Sequence, residues 1–299
     1  MVLPYLYPSN QSHHMNVLVT GSNGQLGSEI RGLAPEYAGF RFFFTDKDEL
    51  DVTNGEAVSR FLKKNSIACL INCVGYTAVD KAEGDRAGAS LLNTMAARIL
   101  AESTAKAGAM MVHVSTDYVF EGKGFRPYTE NDTANPKTIY GKTKLEGEIE
   151  VIFNAKKALI IRTSWLYSSH GNNFLKTILE KCRTEQELRV VYDQVGTPTY
   201  ARDLARAILE IIPRVPQKMR GEVYNFSNEG VASWYDFAKA ILEISGINCT
   251  LVPVLSKDIQ AAATRPHYSV LDKSRFKKDF GLEIPHWRDS LVECMQKMR

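Results

Sequence analysis

Short apolar runs alternate with longer amphipathic stretches in the first half of the chain. The runs are rich in β-branched and aromatic residues, which predicts buried strands, and the intervening stretches repeat apolar residues with the helical period. Such alternation favours an α/β fold with a doubly wound parallel sheet. The predicted strands are residues 15–20, 41–45, 68–74, 110–115 and 158–163. The predicted helices are a stretch ending near residue 33, then 54–64, 81–108 and 140–152.

The pattern is weaker in the rest of the chain. Strands are predicted at residues 188–192, 222–226 and 250–254, and helices at 174–182, 234–245, 273–280 and 288–297, with an amphipathic helix ending near Ile212. We therefore expect a first domain at 15–165, to which later segments return, and a smaller mixed lobe at 166–299. Residues 1–14 lack the basic start and cleavage site of a signal peptide and are expected to be a disordered leader.

A glycine-rich turn follows the first predicted strand. Gly21, Gly24 and Gly27 have the spacing G-x-x-G-x-x-G, between that strand and a predicted helix. Glycine lets backbone N–H groups approach a pyrophosphate, and the helix dipole favours its charge, so the context indicates a Rossmann-type dinucleotide site. The spacing differs from the standard G-x-G-x-x-G, and a plain tight turn is the alternative. Asp46 ends the second strand, where an acidic residue bonds a cofactor ribose, although it is equally suited to capping a turn.

A tyrosine and a lysine stand four residues apart in the fourth predicted helix. Tyr140 and Lys144 therefore share a helix face, where the ammonium is expected to lower the pKa of the phenol and make it a proton donor for carbonyl reduction. Y-x-x-x-K alone is also a common surface pair that contributes about 0.2–0.5 kcal/mol. Ser115, Thr116 and Asp117 follow the fourth strand, at the sheet edge where doubly wound folds bind ligands.

Composition excludes several classes of partner. The 299 residues carry 37 basic and 34 acidic side chains, a net charge of +3, which gives no electrostatic case for binding nucleic acid or an anionic membrane. No run approaches the roughly 18 apolar residues of a membrane span. The five cysteines lack CxxC spacing, which suits free thiols in a reducing compartment. We expect a cytoplasmic protein, and no residues with metal-ligand spacing stand out.

The motifs taken together are similar to those of a known family. The glycine turn, STDYVF at residues 115–120 and Tyr140-x-x-x-Lys144 resemble the extended short-chain dehydrogenase/reductase superfamily. Within it, longer stretches resemble the dTDP-4-dehydrorhamnose reductase family across residues 15 to about 287. Those stretches are YTAVDKAE, VHVSTDYVFEG, YGKTKLEGE, IRTSWLY, GNNF, DQVGTPT and the series Arg265, Pro266, Ser269, Leu271 and Asp272.

That resemblance implies an NAD(P)H-dependent reductase of the C4 ketone of dTDP-4-dehydro-β-L-rhamnose, which yields dTDP-L-rhamnose. By this likeness Tyr140 protonates the ketone oxygen, Lys144 holds the nicotinamide ribose and Thr116 polarises the ketone. The implied cofactor-binding residues are Gly21, Asn23, Gly24, Gln25, Leu26, Gly27, Asp46, Asp51, Val52, Gly75, Thr77, Tyr140 and Lys144. The implied substrate-binding residues are Thr116, Asp117, Tyr118, Trp165, Asn173 and Arg265, of which Trp165 is equally suited to be a core anchor.

The resemblance leaves several alternatives open. Asp46 opposes a 2′-phosphate, yet the family uses both NADH and NADPH. Some members form Mg²⁺-linked dimers, so a homodimer and a Mg²⁺ ion are compatible with the likeness, without assigned ligands. A non-catalytic dinucleotide-binding subunit, like the regulatory subunit of methionine adenosyltransferase, is one alternative function, and another nucleotide-sugar reductase or an epimerase is a second. The intact set of Thr116, Tyr140 and Lys144 favours an enzyme.

Overall fold

The structure, a computed structural model, describes residues 14–216 and 219–298. Of the expected disordered leader, all but His14 lies outside the described residues. The strands are β1 (Met15–Thr20), β2 (Phe40–Thr45), β3 (Cys69–Asn72), β4 (Met110–Thr116), β5 (Ala158–Thr163), β6 (Leu166–Tyr167), β7 (Glu187–Val191), β8 (Val195–Gly196), β9 (Thr199–Tyr200), β10 (Arg220–Asn225), β11 (Ala232–Ser233) and β12 (Thr250–Val254). The helices are α1 (Gln25–Leu33), α2 (Gly55–Lys64), α3 (Val79–Gly84), α4 (Arg86–Ser90), α5 (Ala96–Ala107), α6 (Ile139–Asn154), α7 (Phe174–Thr184), α8 (Ala201–Ile211), α9 (Trp234–Ser245), α10 (Ser274–Phe280) and α11 (Trp287–Gln296).

Six strands form one central sheet in the order β10-β5-β4-β3-β1-β2. All five neighbouring pairs are parallel. The chain starts at β1, one strand in from an edge, moves to that edge with β2, and returns past β1 to build the other side. The point of reversal lies between β1 and β3, where such sheets bind ligands at the carboxyl ends of the strands. The predicted Rossmann-type α/β fold is confirmed.

Side chains of the central strands are buried on both faces of the sheet. In β1, Val17 and Val19 enter the core beneath α1 and α8, while Leu18 enters the core beneath α2 and α5. All three side chains are fully buried. Burying each contributes roughly 1.5–3 kcal/mol. A parallel sheet covered by helices on both faces accounts for the continuous apolar runs in the sequence.

The chain after β5 builds a second core and also returns to the sheet. The short parallel pair β7 and β12 packs with α7 and α9 around an aromatic cluster that includes Tyr167, Tyr200, Phe237 and Trp287. The strand β10 then pairs with β5 at the edge of the central sheet. None of the helices in the described residues is long and apolar enough to cross a bilayer.

The prediction of a single helix at residues 81–108 is wrong. The segment is divided into α3, α4, a π-helical turn at Leu91–Met95 and α5. Asp85 interrupts the helix with a non-helical backbone, and its carboxylate accepts a hydrogen bond of 2.9 Å from the N–H of Gly88 to cap α4. Helical periodicity continues through the break, so local capping outweighs the pattern on which the prediction was based.

Candidate active site

A cleft of about 550 Å³ lies at the carboxyl ends of the central strands. It brings together the amino terminus of α1, the segments after β3, β4 and β5, and the start of α6. Thirteen of the residues singled out from the sequence line it: Gly24, Gln25, Leu26, Gly75, Thr77, Ser115, Thr116, Asp117, Tyr118, Tyr140, Lys144, Trp165 and Asn173.

The glycine turn at one end of the cleft accepts only glycine at two of its positions. Gly21 has a φ of +66°, and a Cβ there would lie 2.9 Å from the backbone of Cys73. A Cβ on Gly27 would lie 2.5 Å from the Cα of Ser22. Gly24 precedes α1, and no side chain caps the amino terminus of that helix. A close backbone turn leading into an uncapped helix fits the pyrophosphate of a dinucleotide.

A carboxylate and a guanidinium flank this turn. The N–H of Asn23 donates to Oδ2 of Asp46 over 3.0 Å, so the predicted ribose-binding acid lies against the glycine turn. Arg31 on α1 donates from Nη2 to Oγ of Ser22 over 2.8 Å, and its guanidinium lies 4.5 Å from the centre of the Phe44 ring. Sequence reasoning missed Arg31. Its spacing of four residues after Gly27 on the same helix was the available signal.

Asp51 and Val52, expected from the resemblance to bind cofactor, do not line the cleft. Asp51 Oδ1 accepts hydrogen bonds from the N–H and the Oγ1 of Thr53, at 2.9 and 2.6 Å, and these bonds lower the pKa of the carboxyl group. Val52 is buried in the core beneath α2 and α5. A cofactor contact by either residue stays a prediction.

Tyr140 and Lys144 lie together in the middle of the cleft. Lys144 is 4% exposed and its Nζ donates to the backbone oxygen of Val114 over 2.6 Å. Burial lowers the pKa of Lys144 to about 8. Burial also raises the pKa of Tyr140 to about 12, with partial opposition from a hydrogen bond to Thr116. The expectation of a lowered tyrosine pKa is therefore wrong, because desolvation of the phenolate outweighs the opposing hydrogen bond to Thr116.

Thr116 joins the tyrosine to a buried acid. Its Oγ1 donates to Oδ1 of Asp117 over 3.1 Å and accepts from the N–H of Tyr118 over 3.2 Å. Burial raises the pKa of Asp117 to about 6. The ring of Tyr118 meets that of Tyr140 edge-on, with centroids 5.4 Å apart. Thr116, Asp117 and Tyr118 of the STDYVF motif thus lie next to Tyr140.

Asn93 supports the floor of the cleft and was not predicted. Its Oδ1 accepts from the N–H of Tyr76 over 2.8 Å, and its Nδ2 donates to Oγ1 of Thr143 over 3.0 Å. The amide therefore fixes the loop after β3, with Gly75 and Thr77, against α6. No signal pointed to it, because it lies within a segment whose periodicity is that of one continuous helix.

The loop after β5 forms the opposite wall of the cleft. Trp165 has a φ of +47° and stacks on Trp234 with ring centroids 3.6 Å apart. Gly196 lies against its ring, since a Cβ there would be 2.7 Å from Cε2 of Trp165. Trp165 therefore anchors the loop against the second lobe and also forms a wall of the cleft, and its contact with substrate stays a prediction.

The same loop is bonded to the helix that follows the glycine turn. Asn173 caps α7 through its Oδ1, and its Nδ2 donates to Oε1 of Gln25 over 2.9 Å. Ser168 Oγ donates to Oε1 of the buried Glu29 over 2.6 Å. These two hydrogen bonds form the loop tether that joins residues 168–173 to α1. The amide of Asn173 is thus engaged by the chain, and its contact with substrate stays a prediction.

Arg265 lies outside the cleft lining, at the edge of a second cavity of about 870 Å³. Its Nη2 bonds Oδ2 of Asp80 over 2.5 Å, and this pairing lowers the pKa of the Asp80 carboxyl group. The second cavity is also lined by Trp234, the stacking partner of Trp165, so the two spaces are neighbours. Among the described residues, no group of three or more His, Cys, Asp or Glu side chains is arranged to hold a metal ion.

Comparisons with known proteins agree with this geometry. The family model described as RmlD substrate binding domain matches residues 15–299. The spore coat polysaccharide biosynthesis protein SpsK of Bacillus subtilis is 40% identical over 94% of this chain and 97% of its own length. A dTDP-4-dehydrorhamnose reductase structure from Clostridium acetobutylicum is 40% identical, with a TM-score of 0.90 over 95% of this chain and 99% of that one. The Bacillus anthracis dTDP-4-dehydrorhamnose reductase, solved in complex with NADP, is 36% identical with a TM-score of 0.90 over the same shares. The chain therefore belongs to the RmlD family, together with dTDP-4-dehydrorhamnose reductases.

Proposed function

We propose that this chain is an NAD(P)H-dependent reductase that converts the C4 ketone of dTDP-4-dehydro-β-L-rhamnose to the alcohol of dTDP-L-rhamnose. One observation supports this above the others. Thr116, Tyr140 and Lys144 line a single cleft together with the glycine turn. A proton donor, a cation and a dinucleotide cradle in one space are the parts that carbonyl reduction requires.

Each of the three side chains has a role in this proposal. When bound, the nicotinamide supplies a hydride. Tyr140 donates its proton to the ketone oxygen, and a pKa of about 12 keeps that proton in place at neutral pH until it is needed. Lys144 holds the ribose hydroxyls and stabilises the phenolate left after transfer. The hydroxyl of Thr116 orients the ketone between the tyrosine and Asp117.

The substrate is a nucleotide-linked sugar that spans the two cavities. Trp165 lines the cleft where the sugar would stack on it. Arg265 lines the second cavity, where its guanidinium is suited to charge-assisted hydrogen bonds with a diphosphate. Reduced nicotinamide absorbance, followed with the enzymatically prepared sugar nucleotide, tests the proposal. Binding of cofactor without sugar-dependent oxidation would favour the regulatory-subunit alternative, and cofactor retained through purification would favour an epimerase.

Replacing Tyr140 with phenylalanine tests the assignment of the acid. We expect Tyr140→Phe to lower kcat by about 10²–10⁴, the usual contribution of general acid catalysis, because only the hydroxyl is removed. Binding of NADPH, followed by its fluorescence, should change little. Wild-type kcat in this variant would contradict the role of Tyr140.

NADPH is the preferred cofactor in this proposal. Arg31 lies beside the glycine turn and above Phe44 of β2, the side on which the adenosine ribose would lie. An arginine in that position accommodates a 2′-phosphate, although Asp46 opposes one. The Bacillus anthracis relative was solved with NADP.

A homodimer is the second finer proposal. Leu91 and Met95 on the π-helical turn are 47% and 44% exposed, and Phe153 on the adjacent α6 is 81% exposed. Exposed apolar side chains on neighbouring helices suit a helical interface between two copies. Light scattering should give twice the chain mass, and Phe153→Glu should lower it; a monomer at micromolar concentration would contradict the proposal.

A further inference from the structure

A buried ion pair lies directly behind the proposed catalytic residues. Glu148 on α6 is 1% exposed, and Arg162 on β5 is 6% exposed. Arg162 donates from Nε and Nη2 to the two carboxylate oxygens of Glu148, at 2.9 and 2.7 Å. Ser115 on β4 donates its hydroxyl to Oε1 of Glu148 over 2.5 Å. One carboxylate thus joins a helix and two strands.

The register of the sheet explains how these groups meet. Ser115 and Arg162 are directly paired across β4 and β5, so their side chains emerge on the same face. The helix α6 packs on that face and presents Glu148 to both. The neighbours of Ser115 along β4 are Val114, whose oxygen accepts from Lys144, and Thr116. The ion pair therefore contacts the strand that carries two of the groups around Lys144 and Tyr140.

Stability does not by itself account for such a pair. Removing two charges from water costs several kcal/mol for each ion, and apolar residues of similar volume are often as stable. The pair is also incomplete, because Nη1 of Arg162 has no hydrogen-bond partner among the described residues. A role in the chemistry next to it is the alternative explanation.

Lys144 has few titratable neighbours in the part of the chain that the structure describes. Glu148 and Tyr140 share α6 with it, His113 lies on β4, and Cys73 follows β3. Burial lowers the pKa of His113 well below its usual value and raises that of Cys73 to about 12, so both are neutral near pH 7. Tyr140 is neutral as well. The carboxylate of Glu148 stands one helical turn from Lys144 and opposes the loss of its proton that burial favours.

We infer that Glu148 is a positioning residue of the reductase site: its carboxylate, fixed by Arg162 and Ser115, keeps the Lys144 ammonium charged and holds β4 in place beneath it. The inference deepens the proposed function and rests on it for the role of Lys144. Without this negative charge the lysine loses its proton at lower pH. The pH range over which a charged lysine helps to bind the cofactor then becomes narrower.

The pH dependence of NADPH binding tests this inference without any sugar turnover. Affinity is expected to fall as pH rises through the Lys144 pKa, and the part of this fall that disappears in Lys144→Met belongs to the lysine. Because Glu148→Gln leaves Arg162 unpaired, the double variant Glu148→Met/Arg162→Met is the main variant for comparison. Glu146→Gln is the matched control, since it removes the same charge from the same helix at an exposed position.

In the double variant we expect the midpoint of this fall to move to lower pH by about one unit. It should stay in place in Glu146→Gln and in Glu148→Asp, which keeps the buried charge. A folded double variant with the wild-type midpoint would overturn the inference. So would unfolding of every Glu148 variant, which would assign the pair to the fold alone. Absence of sugar reduction by the wild-type protein would instead refute the proposed function and leave this binding test unaffected.

Discussion

Burial determines the protonation states of the side chains around the proposed reaction centre. It raises the pKa of Tyr140 to about 12 and that of Asp117 to about 6, and it lowers that of Lys144 to about 8. Each shift favours the uncharged form, as expected when water is removed from an ionisable group. The site thus holds its acid protonated before substrate arrives, and the charge on Lys144 depends on its few buried neighbours.

Lys144 should make folding stability depend on pH. Its folded pKa of about 8 lies below the value of about 10.4 expected in the unfolded chain. Between these values the unfolded chain holds more protons, so the lysine becomes less destabilising as pH rises. The free energy of unfolding of wild type relative to Lys144→Met should increase by roughly 1–3 kcal/mol from about pH 8 to about pH 10, measured in urea, and be flat below pH 8. A constant difference over that range would contradict it.

Arg31 and Asp46 should act in opposite directions on cofactor choice. We expect Arg31→Gln to weaken binding of 2′,5′-ADP by about 10–100-fold, since a charge-assisted hydrogen bond contributes about 1.5–3 kcal/mol. Binding of 5′-AMP, which lacks the 2′-phosphate, should be unchanged in this variant. Asp46→Asn should strengthen the binding of 2′,5′-ADP. Arg41→Gln is the matched control. Arg41 lies over the ring of Phe43, as Arg31 lies over that of Phe44, and both phenylalanines are on β2. Equal weakening of both nucleotides by Arg31→Gln would refute the assignment.

At the scale of elements, regular strands and capped helices were predictable, whereas elements bent by distant contacts were not. The runs that became β1 and β5 have the predicted bounds, because continuous apolar residues suit a strand buried on both faces. Asn54 caps α2 through a bond of 3.0 Å to the N–H of Ala57, as its residue type indicates. The break at Asp85 and the π-helical turn at Asn93 depend on a local cap and on residues 17 to 50 positions away, and helical periodicity contains neither.

Asn93 in the π-helical turn and Asn54 at the amino terminus of α2 should therefore differ in how their replacement by alanine affects stability and cofactor affinity. Asn93→Ala leaves buried partners unpaired on Tyr76 and Thr143, which should cost about 1–3 kcal/mol of stability and loosen the loop that carries Thr77. Cofactor affinity should fall with it. Asn54→Ala removes an exposed cap, with an expected cost of about 1 kcal/mol and no effect on affinity. Equal effects of the two variants on NADPH binding would argue against a role of Asn93 in the site.

At the scale of the whole molecule, one arginine joins distant parts of the chain. The guanidinium of Arg202 on α8 lies 3.6 Å from Glu29, 3.0 Å from Glu36 and 3.8 Å from Glu293. These glutamates come from α1, the turn after it and α11. Such contacts, between residues 91 to 173 positions apart, have no local signature, and for this reason the packing of the last third of the chain was not predictable from residue patterns.

This arrangement leads to a prediction about metal. Since the guanidinium already supplies positive charge to the three glutamates, turnover and mass in solution should not change when EDTA is added. Arg202→Gln leaves the three carboxylates without their shared cation, and their repulsion should lower the midpoint of thermal unfolding. Millimolar Mg²⁺ should restore part of that loss. A loss of wild-type activity in EDTA that Mg²⁺ reverses would show that a metal acts elsewhere.

The loop tether also has a consequence for the rate of the catalytic cycle. Residues 168–173 are bonded to α1 through Glu29 and Gln25, beside the place proposed for the phosphates. We expect release of a spent dinucleotide to require these two hydrogen bonds to break and the loop to swing away, a motion of microseconds to milliseconds. Release of the oxidised cofactor, rather than hydride transfer, would then set kcat. Raising the viscosity with glycerol should therefore lower the steady-state rate and leave the rate of a single turnover unchanged.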